Sequence, residues 1–271
     1  VRVGDIVIEP VLDGVARMEA SAAYRGMGTD VLGANQEDWS PHLDLLDADG
    51  MLEMAFGGFL LRTGERVVIV DTGLGDVEQG PLQGGRFLIE LAALGVRPEQ
   101  VTDVLLTHLH FDHVGWSTHH GEVVFRNATY RCDLRDWEHF VGPEPGATEK
   151  LLPLAGQLEP WDASGPLVPG IDTMSAPGHT PGSTILVVSS GTDRAMLLGD
   201  VVHCPVQLIE DEWGGLGDVD PELARRTRVA LARELEGSDI PVAAAHFPGM
   251  QFGRLLTGSG KRSWILSGPT A

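Results

Sequence analysis

Four short apolar runs in this chain each end in a side chain able to bind a metal ion. Val104-Leu105-Leu106 leads into Thr107-His108-Leu109-His110-Phe111-Asp112-His113-Val114-Gly115. A run over 171–174 leads through Ala176-Pro177-Gly178 to His179, Met196-Leu197-Leu198-Gly199 leads to Asp200, and Val242-Ala243-Ala244-Ala245 leads to His246. Runs of this kind read as buried strands. Side chains at the ends of several strands are how a sheet scaffold converges distant residues on one site.

Within the first cluster the spacing carries chemistry. Residues two apart on an extended segment point the same way, so His108 and His110 can meet as two ligands of one ion. Asp112 and His113 follow where the chain turns and can face a second ion close by. Imidazole and carboxylate together suit zinc, iron, manganese or cobalt.

His-x-His-x-Asp-His followed by a distant His, Asp and His resembles the signature of the metallo-β-lactamase superfamily, over roughly residues 55–250. The resemblance implies an α/β fold, the αββα sandwich of two mixed β-sheets flanked by helices. It implies that His108, His110 and His179 hold one divalent ion, that Asp112, His113 and His246 hold another, and that Asp200 bridges them. Zinc is the first expectation, with manganese, iron or cobalt accepted by the same donors. The implied activity is that of a dinuclear hydrolase whose bridging hydroxide attacks an ester-type bond, with Asp112 beside it as a catalytic group. Asp71-Thr72-Gly73, after the apolar run 67–70, resembles the family's early turn. Asp71 then either supports a metal-bound imidazole or is a plain turn aspartate.

Two further segments resemble the branch of quorum-quenching lactonases and organophosphate hydrolases: Leu198-Gly199-Asp200-Val201-Val202-His203 with Pro205-Val206-Gln207, and His246-Phe247-Pro248-Gly249. Many acyl-homoserine lactonases carry Tyr three residues past the bridging Asp, where this chain has His203. His203 is a catalytic candidate, as proton donor or oxyanion partner, or it packs against the sheet end. Asp200 separates the chain from the β-lactamases, which lack an Asp there. His110 stands where flavodiiron relatives carry Glu. The short tail after His246 leaves no room for the glutathione-gripping domain of glyoxalase II relatives. A lactone is therefore the first expectation, an organophosphate, phosphoester or aryl ester the second, and a non-catalytic metal-binding protein the third.

The net charge of −20 argues against nucleic-acid partners, which need Lys and Arg against phosphate. No apolar stretch reaches the ~18–20 residues of a membrane span, and no signal peptide is visible. Cys132 and Cys204 read as free thiols of a cytoplasmic protein. A small-molecule substrate and a homodimer fit the resemblance.

The expected organisation is one domain over 1–271, with a lid or pocket wall at about 17–50. That stretch loses periodicity and carries Gly26, Gly28, Gly33 and Pro41, while Met18, Tyr24, Met27 and Trp39 are candidates to line a pocket. Residues 141–170, rich in Pro and Gly, are expected as a second wall. Phe111, Trp116 and Trp213 either line the pocket or belong to the core. His42, His119, His120 and His139 lie outside the ligand pattern.

Strands are expected over 3–15, 51–61, 66–70, 102–106, 123–125, 128–132, 183–189 and 195–198. Helices are expected near Phe87–Leu94, over 134–140 and over 221–236. In the last, Leu223, Thr227, Ala230, Leu231 and Leu235 share a face, with Asp220 as cap and Pro221 in the first turn.

Overall fold

The computed structural model describes residues 1–25, 32–80, 82–141 and 148–267. Two sheets face each other. The first has the order β1 (Arg2–Val3), β2 (Ile6–Glu19), β3 (Met51–Thr63), β4 (Arg66–Val70), β5 (Asp103–Leu105) and β6 (Thr129–Arg131). The second runs β7 (Gly165–Val168), β8 (Ile171–Ser175), β9 (Thr184–Ser190), β10 (Asp193–Leu197), β11 (Val242–Ala243), β12 (Gly253–Gly258) and β13 (Lys261–Leu266). Both sheets are mixed: β5 pairs in parallel with β4 and β6, β11 pairs in parallel with β10, and the other neighbours are antiparallel.

Strand alternation builds the layers. Val68, Val70 and Leu105 point inward and meet Leu186, Val188, Ala195 and Leu197 of the opposite sheet. Their neighbours Ile69 and Val104 point outward and pack with Phe87 and Leu91 of helix α2 (Phe87–Ala93). Ile185, Met196 and Val242 point outward from the second sheet onto Leu231, Ala232 and Leu235 of helix α4 (Pro221–Leu235). A side-chain period of two thus gives every central strand two buried faces, and the αββα sandwich follows.

Asp13 is the extra residue of a bulge between Leu12 and Gly14, where β2 shifts register on β3. A bulge re-aims a side chain. The buried Asp13 carboxylate accepts from the backbone N–H groups of Gly75, Gly85, Arg86 and Phe87 and from Trp116 Nε1. It thereby ties the start of α2 to the loops following β4 and β5.

The described residues of 17–50 carry more regular structure than their composition predicts. β2 continues to Glu19, helix α1 (Ala20–Arg25) follows, and a 3₁₀ segment occupies Gln36–Leu45. Tyr24 and Trp39 are buried in a cluster with Trp213 rather than lining a pocket, with ring centroids 5.1–5.9 Å apart. Three large rings gain more from mutual burial than from an exposed wall. Met27 lies outside the described residues.

Helix α4 begins as expected, with Asp220 accepting from Leu223 N at 3.0 Å. Its buried face differs: it consists of Ala224, Arg228, Leu231, Ala232 and Leu235, while Ala230 is exposed. Arg228 turns inward because Asp218 meets its charge. The hairpin of β12 and β13 was absent from the sequence expectation. The strands expected over 123–125 and 128–132 shorten to a two-residue strand Glu122–Val123 and to β6.

Candidate metal centre

All seven expected ligands meet at one end of the sandwich. The turn after β5 contributes His108, His110, Asp112 and His113 from the first sheet. The ends of β8, β10 and β11 lead to His179, Asp200 and His246 from the second. Donor atoms fall into two groups, each with all members within 4.8 Å of one another: His108, His110, His179 and Asp200, and Asp112, His113, His246 and Asp200. Asp200 belongs to both. Its Oδ2 lies 3.6 Å from His108 Nε2, 3.5 Å from His179 Nε2 and 3.1 Å from His246 Nε2. Its Oδ1 lies 3.1 Å from His113 Nε2. Gly199 makes this approach possible: its φ is +53°, and a Cβ there would stand 2.7 Å from Thr107 Oγ1.

Outside this ring, other groups hold the second nitrogen of several imidazoles. His113 Nδ1 donates to Asp71 Oδ2 at 2.9 Å, and His246 Nδ1 donates to the Ala55 carbonyl at 2.9 Å. His179 Nδ1 donates to Asp218 Oδ1 at 3.1 Å. An oxygen acceptor at Nδ1 fixes the proton there and leaves the Nε2 lone pair free to face inward. Asp71 has a left-handed backbone, φ +58°, and also accepts from Thr107 N and Thr107 Oγ1, both at 2.8 Å. The turn aspartate and the imidazole support are therefore one residue.

These donors fit divalent ions. His113 Nε2 and Asp200 Oδ1 are buried and make no hydrogen bond, although buried polar atoms are ordinarily paired. Burial pushes His108 well below the usual histidine range and His110 down to about 4, with neighbouring histidines adding to the effect. Burial opposes charge on His113 and His246 as well. Asp200 and the other nearby carboxylates outweigh it, holding His113 well above the usual range and His246 at about 10. The pocket therefore sets His108 and His110, kept neutral by burial, beside His113 and His246, which the carboxylates draw toward positive charge; a divalent ion would supply that charge in place of the Nε2 protons.

A cavity of about 350 Å³ opens above this floor. Met18, Ala23, Met54, Phe56, Leu82 and Leu216 form its apolar wall, and Phe111, 55% exposed, stands at the rim. His203 lines the cavity. Its Nε2 is 3.3 Å from Asp200 Oδ2, and its ring stacks on His246 with an interplanar angle of 4°.

Among the described residues of 17–50, Met18 and Ala23 reach the cavity. No described residue of 141–170 does so; Leu216 and Gly217, after the second sheet's β10, take that position. Trp116 is buried with its indole on Asp13, and Trp213 is buried in the aromatic cluster, so both belong to the core. His119 lies beside Asp76, and His42 beside Glu210 and Trp213; neither joins the ligand groups. Cys204 is a free buried thiol, pushed up to about 12 by burial, and Cys132 is likewise free. No helix among the described residues is long and apolar enough to cross a membrane. Sequence reasoning missed Asp13, Asp218, Met54, Phe56, Leu82 and Leu216. Only Met54 and Phe56 had a signal, alternating along a predicted strand.

Comparison with known proteins identifies the family and the fold. The profile of the Metallo-beta-lactamase superfamily matches residues 58–243. N-acyl homoserine lactonase AiiA of Bacillus thuringiensis subsp. kurstaki is 26% identical over 197 residues, 64% of this chain and 74% of the relative. Metallo-beta-lactamase domain-containing protein 1 of Xenopus laevis is 31% identical over 200 residues, 69% of this chain and 70% of the relative. Among solved structures, AidC, a dizinc quorum-quenching lactonase with a bound product, superposes with TM-score 0.87 at 23% identity, covering 100% of this chain and 97% of AidC. The hydrolase AbOPH superposes with TM-score 0.85 at 25% identity, with the same coverage.

Proposed function

This chain belongs to the metallo-beta-lactamase superfamily and is a hydrolase of that fold, and we propose that it is a dinuclear enzyme that opens lactones bearing an apolar acyl group. The observation that carries the proposal is the pair of ligand groups sharing Asp200 on the floor of an apolar-walled cavity. In this reading His108, His110 and His179 hold one ion, Asp112, His113 and His246 hold the other, and Asp200 touches both. Zinc is the first candidate. Divalent ions, when bound, supply Lewis-acid polarisation of an ester oxygen and a water of lowered pKa.

The remaining work belongs to side chains. Asp112, whose side chain is 12% exposed, accepts a proton on the cavity side. His203 donates to the leaving oxygen. Met54, Phe56 and Leu216 exclude water and bind the acyl group, at roughly 0.8 kcal/mol for each methylene buried. The similarity to acyl-homoserine lactonases supports the lactone, and the similarity to AbOPH motivates including other esters in the test.

Elemental analysis of protein purified without chelator should approach two ions per chain, and acyl-homoserine lactones should be turned over faster than aryl esters or phosphotriesters. One ion or fewer, with no gain on metal addition, would sink the dinuclear reading. Phosphotriester hydrolysis without lactone turnover would replace the substrate assignment.

A further inference from the structure

We propose that Asp218, anchored by the buried Arg228, is a positioning residue for His179 and sets the affinity of one ion site. The inference rests on the dinuclear reading above. Asp218 Oδ1 accepts from His179 Nδ1 at 3.1 Å, and Asp218 Oδ2 accepts from Arg228 Nη2 at 3.0 Å. Both side chains of the ion pair are 2% exposed. A carboxylate facing Nδ1 requires the proton to sit there, which leaves the Nε2 lone pair of His179 toward His110 Nδ1 and Asp200 Oδ2, 2.9 and 3.5 Å away. The guanidinium holds that buried carboxylate in place from its other side.

The surrounding backbone holds the arrangement closed. Val219 N donates to the His179 carbonyl and Asp220 N to the Gly178 carbonyl, both at 2.9 Å, so the loop carrying Asp218 is laced to the loop carrying His179. Gly215 lies directly on the ion pair. A Cβ there would stand 2.6 Å from Arg228 Nη1 and 2.7 Å from both Asp218 oxygens. The next residue, Leu216, lines the cavity. One buried salt bridge therefore joins helix α4, the cavity wall and a metal-facing imidazole.

The partners of the other rings differ. His246 relies on a neutral carbonyl, and His113 on Asp71, whose carboxylate otherwise accepts described hydrogen bonds from Thr107. His179 is the one ring of the proposed ligands, among the described residues, whose partner is itself paired with a guanidinium. A carboxylate behind a metal-facing imidazole orients it and strengthens it as a donor, and losing such a partner typically weakens metal binding about 10–100-fold.

The test titrates metal-stripped protein with Zn²⁺ against a chromophoric chelator, resolving two stepwise dissociation constants, and records the visible absorption of the Co²⁺ form. Asp218→Asn should weaken one constant by about 10–100-fold, leave the other unchanged, and alter the Co²⁺ spectrum. Asp218→Asn leaves the Arg228 charge buried without its partner. If that variant does not fold, the double variant Asp218→Asn with Arg228→Met removes both charges together and is expected to show the same selective loss. Unchanged constants in a folded variant would overturn the proposal. So would equal weakening of both constants with a lower melting temperature of the stripped protein, which would assign the pair to the fold alone. Wild-type stoichiometry reports separately on the dinuclear reading. If wild type binds a single ion, that reading falls, and the change in the single constant still judges Asp218.

Discussion

His203 shows how one residue's surroundings narrow its chemistry. Its backbone N–H is held by Gln207 Oε1 at 2.6 Å, its ring lies parallel to His246 with centroids 5.5 Å apart, and its Nδ1 is buried without a partner. The ring is thus fixed in place while part of its hydrogen-bonding capacity is unused, which suits a group that meets an oxygen only when substrate is bound. A proton donor matters most when the leaving oxygen is a poor leaving group. His203→Ala should therefore lower kcat on alkyl lactones by about 10²-fold or more, and far less on nitrophenyl esters. Steady-state rates on the two classes decide this: equal losses would leave His203 a packing residue.

At the scale of elements, short structures are held in place by buried carboxylates. Helix α3 (Leu134–Phe140) has Asp133 as its N-cap, and its Asp136 reaches between two ligand loops. Asp136 accepts from Leu109 N, Thr180 Oγ1 and Gly182 N, with no cation among its hydrogen-bond partners. Burial raises its carboxyl to about 6 despite these donors, and neighbouring Asp133 adds to the shift. A raised carboxyl pKa means that the folded state holds a proton the unfolded chain has already lost. Its contribution to stability is therefore largest near pH 4 and declines as pH rises through about 6, by up to about 3 kcal/mol. Denaturant unfolding of wild type and Asp136→Asn between pH 4.5 and 7.5 tests the sign, because the variant cancels every other titration. The stability of wild type relative to the variant should fall across that window, and a constant or rising difference would refute the assignment.

For the whole molecule, the site joins the two sheets: four of the proposed ligands come from the first and three from the second. Divalent ions held there would supply positive charge beside the buried carboxylates of Asp112 and Asp200 and link ligands from both sheets. A ligand bound only by the folded state stabilises it by about 2.7 kcal/mol at a hundred times its Kd, and in a chain of this size each kcal/mol moves Tm by roughly 2–4 °C. Stripping both ions with a chelator should lower Tm by roughly 10–20 °C, and excess Zn²⁺ should restore it. Calorimetry of stripped and reloaded protein measures this, and coincident melts would mean that the ions contribute nothing to holding the sheets together.

What the sequence by itself determined is what one-dimensional spacing can encode. The apolar runs before His108, Asp200 and His246 mark buried strands because burial on both faces leaves them without polar residues, and the ligand spacing after each run survives folding because turns at strand ends are short. The convergence of metal-type side chains at strand ends was therefore legible in the spacing, and the fold class and the full set of seven donors came with the family resemblance that the motif carries. The outer partners were not legible. Asp218 sits in an acidic loop with nothing to separate it from Glu210, Asp211 or Asp220. Arg228 reads as a solvated position on α4, and Asp13 acquires its five donors only through a bulge that pattern cannot locate. The same holds for the cavity wall, where Tyr24, Trp39 and Trp213 were candidates, yet Met54, Phe56 and Leu216 line it. Burial of a charge or a ring depends on whether a distant segment supplies its partner, and only the tertiary structure decides which segments meet.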